Sequence, residues 1–256
     1  MITTGVDLAA QPARTAVAVV DWRDGGAELA TLRLDNTDDD IVGLAAGSAH
    51  VGVDCAFGWP DDFVAYVAAN ARGDAPDPDL RGIGGRRRLA YRETDRATHR
   101  ITGRLPLSVS TDRLGLTAMR CADLLAAFAD AGDDVDRSGA TGRLVEVYPA
   151  ASLRLWGVDV AGYKTDAAAR PTATANLLAT APWLDVSPPQ RALMEASDDA
   201  FDAVVAALIA RAHALHATHP VPPAALDRAR REGWIALPAT LLADLDPTRT
   251  VVSLPG

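Results

Sequence analysis

The first sixty positions alternate between short apolar runs and polar breaks, and the runs have the length and composition of strands. Residues 2–9 (ITTGVDLA), 15–22 (TAVAVVDW) and 27–34 (AELATLRL) are three such runs, and RDGG forms a turn between the second and third. Residues 36–49 (NTDDDIVGLAAGSA) then read as a short helix led by acids, which favour a helix N-terminus, before the apolar run HVGVDCAFGW returns as a fourth strand. A meander of three strands, a helix and a returning strand predicts an α/β protein with a mixed sheet and helical crossovers. Downstream, PDDFVAYVAANARG predicts a helix with Pro60 at or before its start, and residues 71–85 a loop rich in Pro, Gly and Asp. An arginine-bearing helix is expected to run to about Thr102, and another over residues 112–131. GRLVEVYPA is a further strand. The remainder reads as helical: ASLRLWGV, TDAAARPTATANLLATA with Pro171 interrupting it, and SDDAFDAVVAALIARAHALHATH.

At 256 residues and 48% hydrophobic, the chain suits one large domain spanning 1–256, with a helical arginine-rich insertion at about 60–140 and a helical extension from about 218. Cys55 and Cys121 are the only cysteines, too few for a disulfide framework and in no metal-ligand spacing. MITTGVDLAA lacks a basic segment followed by a long apolar core, and no stretch reaches the roughly 18 apolar residues of a membrane span. These features predict a soluble cytoplasmic protein with no membrane partner. The net charge of −9 argues against a general polyanion binder, yet residues 81–104 hold eight arginines against Glu93 and Asp95. Basic charge is therefore concentrated in that window.

Acids in apolar surroundings are the candidate chemistry. An ionised carboxylate in a buried strand is costly without a cation or a hydrogen-bonding partner. Asp54 ends one apolar run and Asp7 another, both in the order Gly-Val-Asp. In the late helix Ser197 is a suitable N-cap, which puts Asp198 and Asp199 in the first turn, but Asp202 lies beyond it among apolar residues. Phe201, Val204, Val205, Leu208 and Ile209 mark a buried face, and Asp199 and Asp202 are i, i+3 neighbours beside it, roughly 5 to 6 Å apart at Cβ. Gathered carboxylates repel one another, and a shared divalent cation relieves them. Hard oxygen donors with no Cys/His cluster favour one or two Mg²⁺ or Mn²⁺ ions. Glu146, between Val145 and Val147, either joins these acids or binds an arginine.

The motifs GVDLA, GVDCAFGWP, YRETDR, VEVYP and DDAFDAVVAAL, spread from residue 5 to about 210, resemble an uncharacterised prokaryotic family described as predicted RNase H-like nucleases. The element order is similar to that of the ribonuclease-H-like superfamily, and the late Asp-x-x-Asp to that of RuvC-type Holliday-junction resolvases. The resemblance implies a ribonuclease-H-like mixed sheet flanked by helices. It also implies metal ligation by Asp7, Asp54, Asp199 and Asp202, with Asp7, Asp54 and Asp202 catalytic. Two features depart from the resolvases: Leu8, Ala9 and Ala10 stand where many have Gly, and the 60–140 insertion is not theirs.

Arg88, Arg92, Arg96 and Arg100 recur every four residues and are expected as a stripe along one helix that meets phosphates. Lys164, the only lysine, is a further candidate phosphate contact. Tyr91 either stacks on a base or anchors the core. His213 and His216 trail the Asp pair by roughly three helical turns and are expected at the surface, and Cys55 is expected as a small core residue. Together these features predict a metal-dependent phosphodiester hydrolase, a nuclease, whose partner is nucleic acid or another phosphodiester. The competing functions are a nucleotide-binding ATPase or phosphotransferase of the actin and sugar-kinase type, and a non-catalytic nucleic-acid or protein binder. The first predicts glycine-rich phosphate loops, which LAAQPARTA after Asp7 lacks.

Overall fold

The computed structural model describes residues 1–248 and pairs the apolar runs into a six-stranded sheet. In chain order the elements are β1 (Ile2–Asp7), β2 (Ala16–Arg23), β3 (Gly26–Arg33), α1 (Asp38–Leu44), β4 (His50–Asp54), α2 (Asp61–Ala71), α3 (Gly82–Ala90) and α4 (Glu93–Thr102). They continue with α5 (Gly115–Asp130), β5 (Leu144–Glu146), α6 (Pro149–Leu155), α7 (Arg170–Thr180), β6 (Leu184–Asp185), α8 (Pro188–Ala196), α9 (Asp198–Ala214) and α10 (Leu226–Glu232). The spatial order is β5-β4-β1-β2-β3-β6. β1, β2 and β3 form the antiparallel meander, β4 and β5 add in parallel beside β1, and β6 adds in parallel beside β3. This mixed α/β sheet, flanked by helices, is consistent with the expected ribonuclease-H-like fold.

Both faces of the sheet are covered. On one, Val6, Val17, Val51 and Val53 pack with Ile41 of α1 and with Cys121, Leu124, Leu125 and Phe128 of α5. On the other lies α9, whose residues from Ala200 to Ala212 are all buried, the pattern of a helix enclosed by its own protein. Its close approach depends on the glycine of each Gly-Val-Asp. Gly5 and Gly52 are register partners on neighbouring parallel strands. A Cβ on Gly5 would overlap the Ala203 carbonyl oxygen and the Ala207 amide nitrogen, and one on Gly52 would stand 2.6 Å from the Ala206 oxygen. The small residues of α9 therefore rest directly on the strands. Thr3 Oγ1 adds a hydrogen bond to the Ala207 carbonyl at 3.0 Å.

The arginine-bearing segment differs from the single helix expected. It breaks into α3 and α4, with Tyr91 and Arg92 extended between them, so Arg88 and Arg92 both lie outside the helix that carries Arg96 and Arg100. The cause is electrostatic: Arg92 turns inward to two buried carboxylates, described below. Pro171 is the second residue of α7 and does not interrupt it, because a first-turn position needs no amide hydrogen. Two-residue β6 was not expected, being too short to leave a pattern. After α10, Ile235 forms a parallel bridge with Glu146, so the C-terminal segment contributes at the sheet edge as well as through a helix. Among the described residues no helix is long and apolar enough to cross a membrane.

Candidate metal centre

Sheet register brings the first two acids together. Asp7 and Asp54 are the last residues of β1 and β4, and they are direct partners in the parallel pairing. Both lie two residues beyond the glycine of their strand, on the α9 side, because alternate residues of a strand share a face. The N-terminal part of α9 meets that end of the sheet. Ser197 caps it by accepting the Ala200 N–H at 3.2 Å, and Asp202, at the fifth helical position, is fully buried. One carboxylate oxygen from each of Asp7, Asp54 and Asp202 lies within 4.8 Å of the others.

Such crowding shows in their proton affinities. Burial pushes Asp7 well above the ordinary carboxylate range, and the neighbouring Asp202 and Asp54 push it further. Burial raises Asp54 to about 7, with Lys164 opposing and Asp202 adding to the rise. Asp202 is raised by burial too, against the pull of Lys164 and Tyr163. Tyr163 Oη donates to Asp202 Oδ1 at 2.8 Å, and the Lys164 ammonium forms an ion pair with Oδ2. Both oxygens of Asp202 are thus engaged, whereas neither Asp7 nor Asp54 receives a side-chain carboxylate hydrogen bond among the described residues. Three carboxylates thus share one ammonium. They could hold a metal ion.

Asp199 is not with the three. Arg14 grips it in bidentate fashion, Nε to Oδ2 at 2.7 Å and Nη2 to Oδ1 at 3.0 Å, so its charge is already matched. Glu146 takes the arginine and does not join the acids. Arg92 Nη1 and Nη2 donate to its two oxygens at 2.8 and 2.7 Å, and the Phe57 N–H donates at 3.0 Å. The same guanidinium holds Asp95 at 2.9 Å and the Glu232 carbonyl at 3.0 Å. Arg92 is buried, so it ties α4 to β5 and to the end of α10. The other stripe members sit on carboxylates: Arg88 on Asp62 at 3.1 Å, and Arg96 and Arg100 on Glu93 at 3.0 and 3.1 Å. Lys164, expected against a phosphate, stands inside the acid cluster.

Tyr163 carries a site contact that its sequence context did not signal, since only the adjacent Lys164 stood out. Its ring packs on Phe201 with centroids 5.1 Å apart, which fixes the hydroxyl against Asp202. Tyr91 caps α3, and its carbonyl accepts from Arg96 Nη1 at 2.7 Å. His213 is not a surface residue. Its ring nitrogens bond the Gly139 carbonyl at 3.0 Å and the Thr218 hydroxyl at 3.1 Å, whereas His216 is exposed. Cys55 packs at the margin of the α1/α5 core, and its neighbour Cys121, with burial, holds its thiol well above the usual range, the opposite of an activated nucleophile.

The model of a family described as "Protein of unknown function (DUF429)" matches residues 5–226. No curated protein and no solved structure matches the chain.

Proposed function

The chain belongs to the DUF429 family, and on that premise we propose that it is a metal-dependent phosphodiester hydrolase acting on nucleic acid, with Asp7, Asp54 and Asp202 as ligands for one or two Mg²⁺ or Mn²⁺ ions. The observation that carries it is the convergence of three carboxylates within 4.8 Å at the end of two paired strands and the start of a buried helix. The donor set fits the ion: all are hard oxygens, and three buried carboxylates have only the Lys164 ammonium between them as a cation. A bound ion of this kind polarises a phosphoryl oxygen and lowers the pKa of water. The chain's own residues supply position. The strand ends fix Asp7 and Asp54, and Tyr163 holds Asp202 through its Oδ1. Lys164, whose side chain is 43% exposed, is long enough to leave Asp202 and meet a phosphate oxygen as a point charge.

Calorimetry with Mn²⁺ and a cleavage assay on labelled oligonucleotides test this together. Asp7→Asn is expected to abolish both the binding heat and Mn²⁺-dependent cleavage while the circular dichroism spectrum stays unchanged. Cleavage that survives Asp7→Asn overturns the assignment. The ammonium on Asp202 favours one competing function, a non-catalytic binder in which Lys164 is the permanent cation. Wild type that takes up no Mn²⁺ and cuts nothing is the outcome which selects that function.

A further inference from the structure

Beyond Lys164, the stretch between α6 and α7 lines a cavity of about 460 Å³, within the size range of ligand sites. Its charged lining is Arg104, Arg154 and Lys164 against one carboxylate, Asp159. The Lys164 ammonium pairs with Asp202, and an oxygen of Asp159 accepts the Ala161 N–H at 3.2 Å, so the cavity's own charge is two guanidiniums against one carboxylate. Arg104 Nε donates to the Tyr148 hydroxyl at 3.2 Å, a neutral partner. Arg154 meets no carboxylate among the described residues. Most other arginines face acids, as Arg14 meets Asp199, Arg33 Asp40, Arg88 Asp62 and Arg143 Asp133; Arg104 and Arg154 do not, and they are the arginines of this cavity. Both are exposed on a concave wall that Lys164 joins to the carboxylates.

We infer that this cavity is a phosphate subsite in which Arg104 and Arg154 hold the backbone of a nucleic-acid strand beside the position cut at Asp7, Asp54 and Asp202. The inference rests on the hydrolase proposed above for the place of the cut, but not for the binding itself. A guanidinium fork matches two phosphate oxygens at once, and its weak hydration makes it the usual residue for such contacts. Tyr148 orients Arg104 without neutralising it, so the charge stays available to the ligand. The arginine stripe of α4 cannot replace the pair, because Arg92 is buried and Arg96 and Arg100 are matched by Glu93.

The test is fluorescence anisotropy with a short labelled oligothymidylate in EDTA, where no cutting occurs, over a range of salt concentrations. Replacing both residues (Arg104→Gln with Arg154→Gln) is expected to weaken binding about tenfold and to make the log–log salt dependence shallower by about 1.4, two contacts at roughly 0.7 each. Arg104→Lys with Arg154→Lys is expected to keep most of the salt slope, which separates charge from any loss of fold. An unchanged affinity and slope in the Gln pair overturns the subsite, as does an absence of oligothymidylate binding by wild type. Arginine-dependent binding by a wild type that takes up no Mn²⁺ supports the subsite and overturns only the hydrolase.

Discussion

A single methyl group at position 5 would have nowhere to go. The atoms it would meet, the Ala203 oxygen and the Ala207 nitrogen, belong to the backbone of α9, which is packed on every side and cannot give way as a flexible side chain would. Gly5→Ala is expected to destabilise the fold by about 3 kcal/mol through overpacking. Gly43, within α1, faces open space; Gly43→Ala is expected to stabilise by up to about 1 kcal/mol, since the unfolded chain loses freedom and the helix gains a better former. Urea unfolding of the two variants gives opposite signs if the contacts are as described. The repeated Gly-Val-Asp was visible in the sequence as a pair of acids in need of a partner. Its glycines carried no such signal, because their reason is a helix far along the chain, at Ala203 to Ala207.

At the scale of elements, α9 was the most legible part of the chain: a Ser cap, a nearly unbroken apolar run and an acid out of place. Its far end was not. His213 is held by Gly139 and Thr218, from segments with no periodicity, so nothing nearby foretold its partial burial. Burial lowers its pKa to about 4, and the neighbouring His50 adds to the fall. The folded state therefore binds a proton less readily than the unfolded chain. Its contribution is complete above the unfolded value near 6.5 and is lost as pH falls from there toward 4, amounting to at most about 3 kcal/mol. His213→Gln is expected to flatten that part of the stability profile, as urea midpoints measured between pH 7 and 4 will show. The arginine segment was misread for a related reason. A four-residue spacing suits a helix, but a buried contact to Glu146 and Asp95 turns Arg92 inward and breaks the helix before it.

For the whole molecule, the sheet was legible because each strand announces itself by a local apolar run, and topology rules leave few ways to join them. The ion pairs were not: Arg92 with Glu146, Arg14 with Asp199 and Lys164 with Asp202 join residues from separate elements, and a sequence shows charges without showing which will meet. That is why Asp199 was expected among the ligands and Tyr163 was not. If the three remaining acids hold a divalent ion, Mn²⁺ at 100 times its Kd is expected to stabilise the native state by about 2.7 kcal/mol. Lys164→Met is expected to lower stability in EDTA and to enlarge the Mn²⁺ increment, because an ammonium no longer competes for Asp202. Thermal melts of wild type and variant, with and without Mn²⁺, measure both. An equal increment in the two proteins would show that Lys164 and the ion do not contend for the same carboxylate.

The ammonium seated against Asp202 gives the pocket a placeholder drawn from its own polypeptide. Maturation can then proceed in surroundings starved of divalent ions, unlike small zinc domains that stay unfolded until metal arrives. If the three acids take up a divalent ion, loading is an exchange of one cation for another. On that proposal occupancy would track the ionic supply of the moment, while the architecture stands ready whether or not that supply is met.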